Sequence, residues 1–283
     1  MGNHRVFRSF WWAANSLLAL ALVATFATGL WELSVRDYLK GFSDAVIPET
    51  SSPREKVDAI LNWIRNGPPR LESADPSSLS PHDPTQTLNY RQLLEVCGSA
   101  TNAFLNLARS SGLEVRRLLL LNANRTAKHV VAEVNLDGRW VVVDPTYRVI
   151  MQDAKGNLLT RRDLQDPAIF QDAISRIPGY VPAYNYEMYA HVRLGALPFH
   201  GAKLRQFVNA VIPGWDESLD WNLLLERRSF AYFFLSICAL TFCFLLRFVL
   251  AWLADNRLRI PRLRLRTSLT RATATFFSTP EIK

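Results

Sequence analysis

Residues 97–148 read CGSATNAFLNLARSSGLEVRRLLLLNANRTAKHVVAEVNLDGRWVVVDPTYR, and this stretch decides the fold. Ala100, Ala103, Phe104, Leu107 and Ala108 recur at helical spacing, and Gly112 stands where a helix ends, so Cys97 opens a helix. A thiol there meets the positive end of the helix dipole and the free N–H groups of the first turn, both of which favour thiolate. Leu113 to Leu121 reads as a mostly apolar strand and Asn122 to Lys128 as a polar loop. From His129 to Leu136, Val130, Ala132, Val134 and Leu136 alternate with His129, Val131, Glu133 and Asn135, the pattern of a half-buried strand. Asp137-Gly138 signals a two-residue hairpin turn, and Arg139 to Val143 returns as the partner strand. If Leu136 pairs with Arg139, paired positions sum to 275, and His129 faces position 146. Asp144 then stands within about two residues of that position, a diagonal of roughly 7–8 Å that two side chains can close. Cys97, His129 and Asp144 are therefore the candidate nucleophile, its base and the group that orients the base.

These features, in this order, resemble the core of the transglutaminase-like superfamily, a papain-related cysteine-enzyme fold. The resemblance rests on Cys97 starting a helix, His129 starting a strand, and Asp137-Gly138-Arg139-Trp140 running into Asp144-Pro145-Thr146. Upstream, Arg54 to Ile64 with Trp63 resembles the helix that precedes the cysteine in that family. The likeness covers about residues 53–148, with two departures: Val131 where many members carry an aromatic residue, and Glu95 where they carry glycine. It implies an α+β core, the cysteine helix packed on an antiparallel sheet, with a Cys97–His129–Asp144 triad.

Two apolar runs flank this core. Ser9 to Trp31 is 23 residues without a charge. As a helix it reaches about 34 Å, enough to cross a bilayer, and it is longer than the core of a signal peptide. Ser229 to Leu246 adds 18 uncharged residues and continues to Ala254, with Arg247 placed to snorkel. Residues 32–228 hold 23 basic and 23 acidic residues, so the net charge of +8 lies at the chain ends. By the positive-inside rule both termini are cytoplasmic and the middle domain is periplasmic or otherwise extracytoplasmic, anchored in the cytoplasmic membrane. A short Arg-rich run just after a span is a topology signal or a contact with anionic lipid, and no nucleic-acid partner is expected. The organisation read from the sequence is residues 1–8 cytoplasmic, 9–31 the first transmembrane helix, 32–52 a linker and 53–148 the core. Residues 149–228 then extend the outer domain, 229–254 form the second transmembrane helix, and 255–283 make a basic cytoplasmic tail.

Cys238 and Cys243 fall in the second span as packing residues, which leaves Cys97 the only thiol of the outer domain and rules out an internal disulfide there. Pro53 to Asn66 gives an amphipathic helix with Val57, Ile60, Leu61 and Ile64 on one face, and Trp63 is expected beneath the cysteine helix. Gly67 to Asn89 reads as a long surface loop. Gln92 is a candidate oxyanion donor through its neutral amide, beside the backbone N–H of Cys97. Tyr184, Tyr186 and Tyr189 form a candidate substrate groove, set against the alternative of a packing layer. His191 and His200 lack metal-ligand spacing, and neither metal nor cofactor is expected.

The expected function is a membrane-anchored transglutaminase-like cysteine enzyme that hydrolyses an amide or ester, as a protease or amidase does, or transfers its acyl group. The substrate, whether peptide, protein or polysaccharide-linked, is left open. The alternatives are a non-catalytic binding or scaffold module of an envelope or polysaccharide assembly complex, and a structural partner whose spans carry the function through Asn15 and Ser16.

Overall fold

The structure, a computed structural model, describes residues 2–192, 206–207, 210–213, 223–224 and 227–258. His200, the basic tail beyond 258, and much of the expected extension after 192 lie outside the described residues. Two units divide the chain.

The first unit comprises Met1–Ala27 and Leu235–Lys283. Its described part is helical, and Phe10, Trp12, Leu20 and Phe26 in one segment and Phe242, Phe244 and Phe248 in the other are exposed. Helix α1 spans Gly2–Val46, and the last α-helix among the described residues spans Arg228–Leu253. Both are long and apolar enough to cross a membrane.

The second unit, Thr28–Phe234, holds the sheet and the remaining helices. Helix α1 continues into the stretch 32–52, read as a linker, as far as Val46, and Val35 and Leu39 on it, with Ile47 just after it, are buried in the domain core. Helix α2, Pro53–Asn66, starts with a capping box in which Ser52 accepts from Glu55 N–H and the Glu55 carboxylate accepts from Ser52 N–H. It buries the four expected residues, Val57, Ile60, Leu61 and Ile64. The Trp63 ring meets Phe42 of α1 edge-on at 4.9 Å, with the Arg70 guanidinium over it, and the ring also packs on the core cluster to which α5 contributes. The surface loop read from Gly67 to Asn89 ends instead in helix α3, Pro84–Asn89. Asp83 caps Thr85 N–H, Pro84 is preset for the first turn, and Thr87 and Leu88 are buried. Helix α4 is Arg91–Leu94, and α5 is Cys97–Ser110.

Five antiparallel strands follow in the spatial order β4-β3-β2-β1-β5: β1 Val115–Leu121, β2 Ala127–Leu136, β3 Arg139–Asp144, β4 Val149–Ile150 and β5 Tyr189–Ala190. The hairpin has the expected register, Leu136 opposite Arg139 and Ala132 opposite Val143. Asp137 and Gly138 both take positive φ, 53° and 82°, as a two-residue turn that matches the strand twist requires. One sheet face, with Ala132, Val134, Leu136, Val141 and Val143, packs on Ala103, Phe104 and Leu107 of α5 and on α2. The opposite face, with Leu118, Leu120, Val131 and Val142, is covered by Met151, Leu164, Phe170, Tyr180 and Tyr186 from the region after the hairpin. Helix α6, Pro167–Ser175, belongs to this second layer. Both faces of the sheet are therefore covered by packed layers.

Candidate active site

Cys97 lies at the first residue of α5, where Val96 supplies no side-chain cap and the first-turn N–H groups are left for another acceptor. The helix start is anchored by Ser99 Oγ, which donates to Leu93 O, and by Thr101 Oγ1, which donates to Val130 O at 3.0 Å. Behind it the buried Arg117 of β1 donates to Asn102 Oδ1 at 3.1 Å and to Gly98 O at 3.4 Å. These bonds tie the helix start to β1 and β2 and so set the sulfur against the sheet end.

His129 arrives beside it through an irregularity in β2. Leu120 pairs with His129 but Leu121 pairs with Ala127, which leaves Lys128 as the extra residue of a bulge. Bulges of this kind re-aim the next side chain. His129 Nε2 lies 2.7 Å from Asp144 Oδ2, with the side chains 2% and 0% exposed. The other oxygen, Oδ1, accepts from the N–H groups of Thr146 (3.0 Å) and Tyr147 (3.3 Å), so the turn after β3 holds the carboxylate. With Nε2 engaged, Nδ1 is the nitrogen left for the Cys97 thiol.

The electrostatics follow from this contact. The His129 ring beside the thiol lowers the Cys97 pKa most, burial opposes it, and the charge of His129 with the N–H groups of Val130 and Gly98 lowers it further. Burial disfavours a charged imidazole, yet the hydrogen bonds and charges of Asp144 and Cys97 outweigh it and push the His129 pKa up to about 9. The charged forms of the thiol and the imidazole thus favour each other. Such an arrangement can supply a nucleophile and, beside it, an acid.

The match to known families is confined to this region: residues 40–145 match the family model of the transglutaminase-like superfamily. Residues 40–145 form a transglutaminase-like domain. No curated protein and no solved structure matches the chain. The transglutaminase-like match contains Cys97, His129 and Asp144, and it begins inside α1, ahead of the boundary at 53 expected from the resemblance.

The remaining candidates fare differently around the transglutaminase-like domain. Gln92 is engaged by the Ser73 backbone, donating to Ser73 O at 3.1 Å and accepting from Ser73 N at 3.4 Å, which gives the amide a loop-fastening job. Tyr186 is 0% exposed and belongs to the second core layer, so it cannot line a surface groove; its apolar ring fills space under Phe170. Tyr189 pairs with Leu120 in β5 and lies under the Arg161 guanidinium. Tyr184 stacks on His129, with ring centroids 4.2 Å apart. Tyr147 and Tyr180 also approach that imidazole, at 6.1 and 6.4 Å, a neighbourhood no local pattern announces. His191 Nε2 meets the buried Glu133 at 2.9 Å, and Arg116 meets the same carboxylate at 2.7 Å. Burial pushes the Glu133 pKa up, but these partners outweigh it and hold the group ionised. Among the described residues no cluster of three His, Cys, Asp or Glu is arranged for a metal. A cavity of about 600 Å³ lined by Phe42, Val46, Trp63 and Pro68 shares no lining residue with the Cys97 cluster.

Proposed function

We propose that the protein is a membrane-anchored thiol enzyme that acts on an amide or ester with Cys97, His129 and Asp144 as its catalytic triad. The thiolate of Cys97 attacks the carbonyl carbon to give a tetrahedral oxyanion, which the N–H of Cys97 can receive. As the carbon–nitrogen or carbon–oxygen bond breaks, the His129 imidazolium gives its proton to the leaving group, and a thioester remains. His129 then takes a proton from water or an amine, which attacks the thioester and releases the acid or the transferred acyl product. Asp144 keeps the imidazole in the tautomer that both steps need. The observation that carries this reading is a thiol with lowered pKa beside an imidazole whose Nε2 is held 2.7 Å from a buried carboxylate.

The two apolar helices support anchoring, and the basic chain ends support cytoplasmic termini with the domain outside, at the cytoplasmic membrane. A second observation agrees. Buried Glu32, the first charge after one apolar run, accepts from Ser229 Oγ at 2.8 Å and pairs with Arg227 at 3.1 Å just before the other, as expected of two spans that meet on the same side.

Iodoacetamide labelling of the full-length protein, resolved by mass spectrometry to the Cys97 peptide, tests the reading. Fast labelling near neutral pH that is lost in Cys97→Ala and depends on His129 is expected; slow labelling independent of His129 defeats it. The burial of His129 favours one rival, a non-catalytic binding module. A Cys97→Ala chain that fully replaces the wild type in cells lacking the protein would uphold that rival.

A further inference from the structure

The hydrogen bond from His129 Nε2 to Asp144 fixes one edge of the imidazole but leaves rotation about that bond open. Such a rotation swings Nδ1 out of line with the Cys97 sulfur. The face of the ring is held by Tyr184, whose ring lies 4.2 Å away at an interplanar angle of 5°. Two flat rings at that distance resist tilting, because a tilt drives the edge of one into the face of the other. The phenol face also favours the charged imidazole.

Tyr184 is itself held in place. Its N–H donates to Val181 O at 3.0 Å, and Tyr180 and Tyr186 on either side are buried. Next to it, Asn185 Oδ1 accepts from Lys128 Nζ at 2.6 Å. Lys128 is the bulged residue directly before the histidine, so this loop is fastened to the residue that sets the aim of His129. Tyr180 and Tyr147 meet the same imidazole at 83° and 64° and bound it from the side. The loop lies outside residues 40–145.

We propose that Tyr184 is a positioning residue, whose ring keeps the plane of His129 aligned so that Nδ1 stays on the Cys97 thiol. The inference rests on the reading of Cys97 and His129 as nucleophile and base. It assigns part of the reactive geometry to a residue that acts through His129.

The test is the pH profile of iodoacetamide labelling at Cys97, measured on the full-length protein in membranes for wild type, Tyr184→Phe, Tyr184→Leu, Asn185→Ala and His129→Ala. An aromatic stack contributes about 0.5–1.5 kcal/mol, so Tyr184→Leu is expected to label roughly two- to tenfold more slowly at pH 6, with its rise moved to higher pH. Tyr184→Phe keeps the flat face and follows the wild type. Asn185→Ala leaves both rings intact but frees the loop, and a smaller slowing of the same kind is expected; it decides the matter if Tyr184→Leu does not fold. A Tyr184→Leu or Asn185→Ala profile superimposed on the wild type overturns the proposal. So does a Tyr184→Phe profile that falls as far as Leu, since the hydroxyl and not the ring plane would then matter. A His129→Ala profile equal to wild type defeats the enzyme reading itself, whereas a shifted His129→Ala profile with an unmoved Tyr184→Leu defeats only the role of Tyr184.

Discussion

Replacing Asp144 with Asn exchanges one oxygen for a nitrogen at nearly constant volume, and the structure says which oxygen. Oδ1 accepts from the N–H groups of Thr146 and Tyr147, so the amide oxygen stays on that side and the NH2 group faces His129 Nε2 in place of Oδ2. An amide N–H can only donate, which forces the ring proton onto Nδ1, the nitrogen that has to take the proton of the thiol. The charge is lost as well. A hydrogen bond to a charged group contributes about 1.5–3 kcal/mol, and one pH unit corresponds to about 1.4 kcal/mol. The His129 pKa, pushed up to about 9 in the native protein, therefore falls by roughly one to two units in Asp144→Asn. The equilibrium between thiol with imidazole and thiolate with imidazolium then falls by about ten- to a hundredfold, and Cys97 labelling at pH 7 should slow by up to that factor. The assay is the second-order rate of iodoacetamide capture at the Cys97 peptide from pH 5 to 10, with wild type and variant in the same detergent. A variant whose profile coincides with the wild type would refute the orienting role of Asp144 and the tautomer argument built on it.

Three further outcomes are expected. Turnover against pH should be bell-shaped once a substrate is found: activity rises as Cys97 ionises below the ordinary thiol range and falls near pH 9 as His129 loses its proton, so an alkaline limb that is absent in stopped-flow rates would count against the ion pair. Gln92→Ala should cost about 1 kcal/mol in a urea melt, because the Ser73 loop loses both its bonds, while leaving turnover within about threefold; a fall of a hundredfold or more would restore the oxyanion role. Gly138→Ala puts a Cβ at φ 82° in the β2–β3 turn and should lower stability by about 1 kcal/mol in the same melt without changing the Cys97 labelling profile.

Much of the candidate site is legible in the residue order. The helix that starts at Cys97, the apolar face of α2 and the register of the Asp137-Gly138 hairpin depend on residues a few positions apart, and such interactions leave a period or a turn signature in the chain. That register alone brings His129 toward Asp144, since a two-residue turn fixes every later pairing. Other features have no local signature. The bulge at Lys128 arises from pairing with β1, the commitment of Gln92 from a loop 19 positions away, and the burial of Tyr186 from the second layer closing on the sheet. The stack of Tyr184 on His129 joins residues more than fifty positions apart, and nothing in either neighbourhood encodes it. Residue order thus determined which groups could do thiol chemistry and which strand ends would carry them. Only tertiary packing decided how the imidazole is held, because the angle of one ring on another is set by all the layers that press on both.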